Sequence, residues 1–224
     1  MQHKNFVDDS GYHWKTEQFG GIHVTNYSPF AATIVEENHN DYDGAGASTY
    51  FDGTTTRFSV TNSEQLQIKT DPATVEFWFY PEKQDGVRRI VSSTTGNITA
   101  STFALGYADN RFGLLGIASN TIPWLSIPVT SENYPRLNAW NHVAYVAENG
   151  SRQYLFVNGQ QVASVIAGNN YNWTSSLRHI GGYNEDLNTE YYQGHLTNYR
   201  VVIGTAIYAG NQNKFTVQIG RAHV

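Results

Sequence analysis

The sequence predicts an all-β protein in which two antiparallel sheets pack face to face as a β-sandwich. Short strings rich in β-branched and aromatic residues recur along the chain, separated by Gly, Asn, Asp or Pro. No stretch shows the 3.6-residue apolar period of an amphipathic helix. Aromatic residues make up 14% of the chain and charged residues only 15%, against roughly 25% charged residues in ordinary soluble domains. This composition favours strands joined by polar loops over helices.

The first half of the chain contains a series of short predicted strands. They are STYFDG (48–53), RFSVT (57–61), TVEFWFY (74–80), RRIVSST (88–94), TFALGYA (102–108) and RFGLLGIA (111–118). Five aromatic residues lie in or beside predicted strands of the chain: Phe77, Trp78, Phe79, Trp140 and Phe156. Large apolar rings in strands usually pack in the interior, so we assign all five to the core and expect Phe77 and Phe156 to be buried.

Residues 140–164 predict a meander of three strands. Residues 142–147 alternate between two faces with a period of two, and both faces carry apolar side chains. A turn is expected at 148–151, and Asn158-Gly159 tolerates the positive φ angles of a type I′ hairpin. We therefore expect a sheet covered on one side and at least partly lined on the other. Two more strands are predicted further along, at LRHIGGY (177–183) and HLTNYRVVIG (195–204).

The charge balance and the cysteine count exclude several classes of partner and site. Asp and Glu outnumber Lys and Arg by 19 to 14, and the net charge of -5 provides no basic surface for a nucleic acid. The absence of cysteine excludes disulfides and thiolate metal sites. No apolar run approaches the roughly 18 residues of a membrane span, and the first residues do not have the pattern of a secretory signal. We expect no nucleic-acid partner and no membrane insertion.

Several strings, taken in order, resemble the laminin-G-like (LamG) members of the concanavalin A-like lectin/glucanase superfamily. They are DSGYH near residue 9, SPF at 28, STYFDG at 48, TVEFWFYP at 74, WNHVAYV at 140, YLFVNGQQV at 154, HIGGY at 179 and QGHLTNYRVVIGTAIYAGNQNKFTV at 193–217. The last string is similar to the end of LamG jelly rolls in marine phage structural proteins and marine bacterial surface proteins.

The resemblance implies a single concanavalin A-like jelly roll over residues 1–218, with a rim or a concave face that binds sugars or proteins. The function expected from it is a non-enzymatic recognition or appendage module at a virion or extracellular surface. Its partners would be surface polysaccharide or other glycans, or neighbouring proteins, and it could assemble as an oligomer. One alternative is a purely structural assembly domain of a virion or cell-surface protein. The other is a divergent glycoside hydrolase.

The hydrolase alternative lacks its usual motif in this sequence. Glycanases of the superfamily resemble one another in a Glu-x-Asp-x-Glu string, which places acid and nucleophile on one strand face at a separation of about 5 Å. Glu76 has no carboxylate two or four residues further on, and the acids of residues 185–190 have a different spacing. Neither a GxSxG nor an HExxH string is present. We predict no catalytic residues and no enzymatic activity.

The loop GGYNEDLNTEYYQG (181–194) is the predicted calcium site. The loop offers the hard oxygen ligands that calcium prefers, from Asn184, Glu185, Asp186, Asn188 and Glu190, and Asn198 follows on the next strand. The resemblance implies an acidic pair after the glycine of that strand, where this chain has Thr197 and Asn198, so the ligand charge is reduced. A polar loop without metal is the alternative, and no cofactor is required. Weaker candidates read in the same way are Asp8, Asp9, Asp41 and Asp43.

Aromatic residues in loops are the predicted ligand-binding groups. Flat rings stack on sugar faces while neighbouring amides supply hydrogen bonds. The candidates are Tyr171, Trp173, Tyr183, Tyr191 and Tyr192, together with His195 beside the acidic loop. The alternative is that these rings cover the edges of the core.

The last six residues, IGRAHV (219–224), look like the translated start of a short-read sequencing adapter. We therefore expect a non-native tail acquired when environmental DNA was assembled, and a natural protein that continues beyond Gln218. A genuine flexible polar tail is the alternative.

If Glu185 and Asp186 bind calcium, millimolar calcium will raise the melting temperature, because an ion that binds only the folded state stabilises it by mass action. Differential scanning fluorimetry with and without calcium measures the shift. The double variant Glu185→Ala, Asp186→Ala will lose it, and a parent protein whose melting temperature ignores calcium contradicts the site.

Overall fold

The computed structural model describes residues 16–25, 29, 48–93, 102–115, 125–149, 152–166, 172–182, 190–208 and 213–217. Its only helical element in these residues is a 3-10 turn, Glu64–Leu66. No helix in the described part of the chain is long and apolar enough to cross a membrane. The strands are β1 (Thr16–Phe19), β2 (His23–Thr25), β3 (Ser48–Asp52), β4 (Arg57–Val60), β5 (Ala73–Pro81), β6 (Arg88–Ser92), β7 (Ala104–Ala108), β8 (Arg111–Leu114), β9 (Ser126–Pro128), β10 (Asn141–Asn149), β11 (Arg152–Val157), β12 (Gln160–Ile166), β13 (His179–Ile180) and β14 (Gln193–Ile203).

These strands form two antiparallel sheets of seven strands each. The first sheet has the order β1-β4-β13-β6-β7-β8-β9, and the second has the order β12-β11-β10-β5-β14-β3-β2. Strands far apart in sequence are neighbours in both sheets, so the chain crosses repeatedly from one sheet to the other. The predicted all-β sandwich is confirmed.

The predicted meander forms one edge of the second sheet. Strands β10, β11 and β12 pair in sequence order, with Val143 opposite Val157 in the first hairpin. Asn158 (φ 51°) and Gly159 (φ 78°) both adopt positive φ at the second turn, as a type I′ hairpin requires. The dipeptide therefore fixes the register of the two strands that follow the long strand β10.

The main core lies between the two sheets and is built from the alternation of strand residues. Phe77 and Phe79 of β5 are fully buried, which confirms the expectation for Phe77. Phe79 stacks on Phe112 of the first sheet, with ring centroids 5.4 Å apart and an interplanar angle of 9°. Phe103 packs edge-on against Tyr145 of β10 at 5.0 Å. Aromatic pairs of this kind join the two sheets directly.

A second apolar cluster covers part of the outer face of the second sheet. Ala144, Val146, Tyr154 and Phe156 are buried there beneath Ala206, Tyr208 and Phe215. The latter three belong to what we call the C-terminal segment, residues 206–208 and 213–217. Its backbone is anchored at two places: Ile207 N–H donates to Thr74 Oγ1 at 2.9 Å, and Phe215 N–H donates to the carbonyl of Gly159 at 2.8 Å. Phe156 is buried as predicted, but in this outer cluster, and the sheet at the meander is covered on one side and partly lined on the other, as expected.

Three strands were not expected from the sequence, namely β1, β2 and β9. They are three or four residues long and gain their stability from neighbours that are distant in sequence, so they carry little periodicity of their own. The strand predicted at 177–183 is shorter than expected and ends at Ile180. Gly181 follows with a φ of 84°, and a side chain there would collide with the ring of Phe51.

Gly181→Ala will lower the free energy of unfolding by roughly 2 kcal/mol or more, because a new methyl group overpacks the core against Phe51. Its positive φ adds backbone strain. Urea denaturation measures the change. Gly21→Ala is the matched control, because no atom lies within 4 Å of the added carbon and its φ is ordinary; equal losses in the two variants contradict the prediction.

His179 is a buried histidine on the outward side of β13. Its Nδ1 lies 2.9 Å from the hydroxyl of Ser59, and its side chain is removed from solvent. Burial, with smaller contributions from the charges of Arg178 and Arg57, lowers its pKa from 6.5 to about 3. The folded protein therefore holds this imidazole uncharged at neutral pH.

Because the folded-state pKa lies below the unfolded value, only the unfolded chain takes up this proton between pH 6.5 and 3. The stability from His179 is complete above pH 6.5 and falls as the pH drops through that window. His179→Gln will reduce the stability loss between pH 7 and 4.5 by on the order of 2 kcal/mol. Urea denaturation at the two pH values checks this, with exposed His23→Gln as the control; an unchanged slope for His179→Gln would contradict it.

Candidate functional site

The outer face of the second sheet carries a row of five rings, one from each of five neighbouring chain segments. Strand pairing sets His23 of β2 opposite Tyr50 of β3, Tyr50 opposite His195 of β14, and His195 opposite Tyr80 of β5. Trp140, just before β10, completes the row beside Tyr80. Successive ring centroids are 5.3, 5.0, 6.0 and 5.6 Å apart. We call these five residues the ring row.

The two-residue alternation of a strand explains why these rings face outward. Phe77 and Phe79 point into the core, so Trp78 and Tyr80 between and after them lie on the opposite face of β5. His23 is exposed, and the other four rings of the row are half-buried. Solvent therefore reaches the ring row, unlike the aromatic residues of the core.

Hydrogen-bonding groups surround His195 at the middle of the row. Its Nδ1 lies 3.1 Å from the hydroxyl oxygens of both Thr25 and Ser48. Its Nε2 lies 3.9 Å from Oε1 of Glu82. The hydroxyl of Tyr50 donates to Oε2 of the same carboxylate at 3.2 Å. The row thus combines flat apolar surfaces with donors and acceptors at their edges.

The protonation states follow from burial and from Glu82. Burial lowers the pKa of His195. The negative charge of Glu82 raises it by less, so the imidazole is uncharged at neutral pH. Burial and the charge of Glu82 raise the pKa of Tyr50, which keeps its hydroxyl protonated as a donor. Neither group carries a charge at neutral pH.

Next to the ring row, the same face carries a buried carboxylate that is fully engaged. Oε1 of Glu76 contacts both Nε and Nη2 of the Arg200 guanidinium. Its Oε2 accepts from the hydroxyl of Tyr208 at 2.8 Å and lies 3.3 Å from Nε2 of His142. Burial opposes its ionisation, but these partners outweigh burial and lower its pKa. Phe215 stacks on Tyr208 at 3.8 Å above it. The Glu76 cluster therefore anchors the C-terminal segment, which covers this part of the face.

Positions two and four residues after Glu76 are Trp78 and Tyr80, on the same outward face. In the glycanase pattern these positions hold carboxylates. Here they hold aromatic rings.

Three of the predicted ligand-binding rings belong to the interior, and their assignment is corrected. Trp173 is 4% exposed and donates from Nε1 to the hydroxyl of Tyr145 at 3.1 Å. Tyr191 is 3% exposed and accepts from Arg57, and Tyr192 is fully buried and donates to the carbonyl of His195. Each ring is held by core packing and a hydrogen bond, so none presents a face to a ligand.

The other predicted residues have different outcomes. Some lie outside the described residues, and their roles stay predictions: Tyr171, Tyr183, Asn184, Glu185, Asp186, Asn188, Asp8, Asp9, Asp41 and Asp43. The carboxylate of Glu190 pairs with the guanidinium of Arg89. Asn198 is exposed with a φ of 51° at a bulge in β14, a conformation that asparagine tolerates well. His195 lies at the centre of the ring row. Within the described ranges, no three His, Asp or Glu side chains gather in a way that could hold a metal ion.

Sequence reasoning missed four members of the ring row and Glu82. The alternation that placed Phe77 and Phe79 in the core also implies an outward Trp78 and Tyr80, and this signal was available. The assignment of Trp78 and Trp140 to the core is accordingly corrected, since both are half-buried on the outer face. His23 lies in a strand that the sequence did not predict.

Several solved structures have the same architecture. The botulinum neurotoxin serotype D binding domain superposes with a TM-score of 0.61 at 13% identity, covering 95% of this chain and 48% of that chain. The serotype G binding domain gives 0.59 at 12% identity, with 90% and 45% covered. The binding domain of Paraclostridial Mosquitocidal Protein 1 gives 0.58 at 13% identity, with 92% and 48% covered. This chain spans about half the length of those proteins, and the likeness concerns the fold.

The comparison with curated protein sequences gave no match. A laminin-G family profile, described as "Concanavalin A-like lectin/glucanases superfamily", matches residues 52–205. This range contains all of β5, β10 and β14, and it accounts for well over half of the chain. The chain belongs to the concanavalin A-like lectin/glucanase superfamily.

Proposed function

We propose that this domain is a non-catalytic recognition module that binds a surface glycan along the ring row. The observation that carries the proposal is the alignment of five partly accessible rings, one per neighbouring segment, at centroid spacings of 5.0 to 6.0 Å. Neighbouring strands lie about 4.8 Å apart, so the sheet itself sets the spacing of the rings.

The chemistry of the row suits a carbohydrate. The apolar faces of pyranose rings stack on aromatic side chains, and their hydroxyl groups need donors and acceptors at the edges of the contact. The hydroxyls of Thr25 and Tyr50 and the imidazole of His195 provide such groups. Because the rings stand on paired strands, little conformational entropy is lost when a ligand binds.

The C-terminal segment determines the direction in which a polysaccharide would lie. Phe215 packs against His142 at 5.9 Å, so the segment covers the face beside the row. A chain running along the strands would meet this segment after a short distance. A chain running across the strands, from His23 to Trp140, stays on the part of the face that the described C-terminal segment leaves uncovered.

The comparisons support a binding role in a general way. The toxin structures with this fold are described as binding domains. A virion or cell surface, the setting expected from the closing string of the sequence, is where such a module would meet a glycan. Rings at positions 78 and 80 support binding without hydrolysis.

Tyr80→Ala and Trp140→Ala will each weaken glycan binding about tenfold, because one lost stacking contact costs on the order of 1.4 kcal/mol. The measurement is isothermal titration with cellohexaose, laminarihexaose and mannohexaose. Melting temperatures of the variants establish that they remain folded.

Phe19→Ala is the matched control, since it removes a half-buried ring from β1 in the other sheet. Its affinity will equal that of the parent. Binding that is unchanged in both row variants would reject the ring row as the site. If the parent binds none of the three oligosaccharides, the glycan proposal fails and the structural assembly role is favoured.

A further inference from the structure

We propose that the ring row selects glycans without acidic groups, and that Glu82 is the residue that determines this selectivity. The inference rests on the proposed function and specifies its ligand class. It follows from the charges that the described residues bring against the row.

Glu82 lies at the edge of the row, immediately after β5. Its side chain is 29% exposed, and its carboxylate contacts two members of the row, Tyr50 through a hydrogen bond and His195 at 3.9 Å. A sugar stacked over Tyr50 and His195 would therefore lie within a few ångströms of this negative charge. At that distance the interaction between two charges depends strongly on the local dielectric and is largest where water is excluded.

Asp52 adds a second carboxylate on the same side of Tyr50. It lies two residues further along β3 and hence on the same face. Its Oδ1 accepts from the backbone N–H groups of Thr54, Thr55 and Thr56 at 2.8 to 2.9 Å. Burial opposes its ionisation, but these hydrogen bonds prevail and hold the pKa of Asp52 well below its ordinary value. The charge of Asp52 also contributes to the raised pKa of Tyr50.

Three basic side chains on this face or next to Glu82 are either uncharged or bound to other carboxylates. His195 is uncharged at neutral pH because of its burial. Arg200, on the same face, is bound to Glu76. Lys83, next to Glu82 in sequence, pairs with Asp85 at 3.7 Å. A uronate or a sulfate placed on the row would meet negative charge, whereas an uncharged sugar can use Glu82 as a hydrogen-bond acceptor.

The test compares cellohexaose, laminarihexaose and mannohexaose with the same chains oxidised at C6, which exchanges primary alcohols for carboxylates and keeps the backbone. At pH 7 and about 0.01 M ionic strength, where the screening length is about 30 Å, the parent will bind the neutral form about tenfold more tightly. Raising the ionic strength to about 1 M, where that length is about 3 Å, will shrink the difference.

Glu82→Gln will reduce the discrimination to about threefold or less, since the amide still accepts from Tyr50 but carries no charge. Glu64→Gln is the matched control. It makes the same change in net charge at an exposed carboxylate of the 3-10 turn. The residues on either side of Glu64 in this turn hydrogen-bond to residues 176–177. The discrimination of Glu64→Gln will equal that of the parent.

Equal binding of neutral and oxidised chains by the parent would overturn the selectivity and leave the proposed function intact. Discrimination that survives in Glu82→Gln would overturn the role of Glu82. A parent protein that binds none of the neutral chains rejects the proposed function itself, and the selectivity with it.

Discussion

The outer face of the second sheet depends on the strict two-residue alternation of β5 at the centre of that sheet. Phe77 and Phe79 are fixed inward by the core, where Phe79 stacks on Phe112 across the sandwich. Glu76, Trp78 and Tyr80 must then face outward, whatever their own preferences. Because β10 pairs with β5 residue by residue, and β14 pairs with it on both sides of a bulge, their outward side chains fall into rows with those of β5. The packing of the core thus sets the positions of the groups available to a ligand.

The outer face divides into two parts, one covered by the C-terminal segment and one whose rings meet solvent. Around Glu76, a buried carboxylate needs compensating partners, and it finds them in Arg200, Tyr208 and His142. These contacts hold the C-terminal segment over the apolar residues of β10 and β11. Around His195, the described residues form no such cover, and half-buried rings meet solvent. The boundary between the two parts falls between His142 and Trp140, two residues apart on one chain segment.

Much of the fold could be predicted from the sequence, because periodicity and turn chemistry are local signals. Asn158-Gly159 specified a hairpin, and the alternating residues 142–147 specified a strand in a sheet covered on one side and at least partly lined on the other. The site was harder to predict because it depends on pairing between distant strands. His23, Tyr50 and His195 lie up to 172 positions apart in the chain and meet only through the register of β2, β3 and β14. Trp173 was wrongly predicted to bind a ligand, because a turn-rich sequence does not reveal that its ring packs in the core.

The bulge in β14 has a consequence for how this family member can vary. Between Thr197 and Arg200 the strand contains one residue more than the facing part of β5, with Asn198 in the left-handed region. That extra residue lets Thr197 and Arg200 both face outward while Tyr199 packs against Phe77 in the core. If the same residues continued in regular alternation without the bulge, the guanidinium of Arg200 would face inward and the ring of Tyr199 outward. A one-residue deletion at the bulge would therefore leave the facing of Tyr199 and Arg200 unchanged, whereas a one-residue insertion or deletion where the pairing of β14 is regular would invert the residues beyond it.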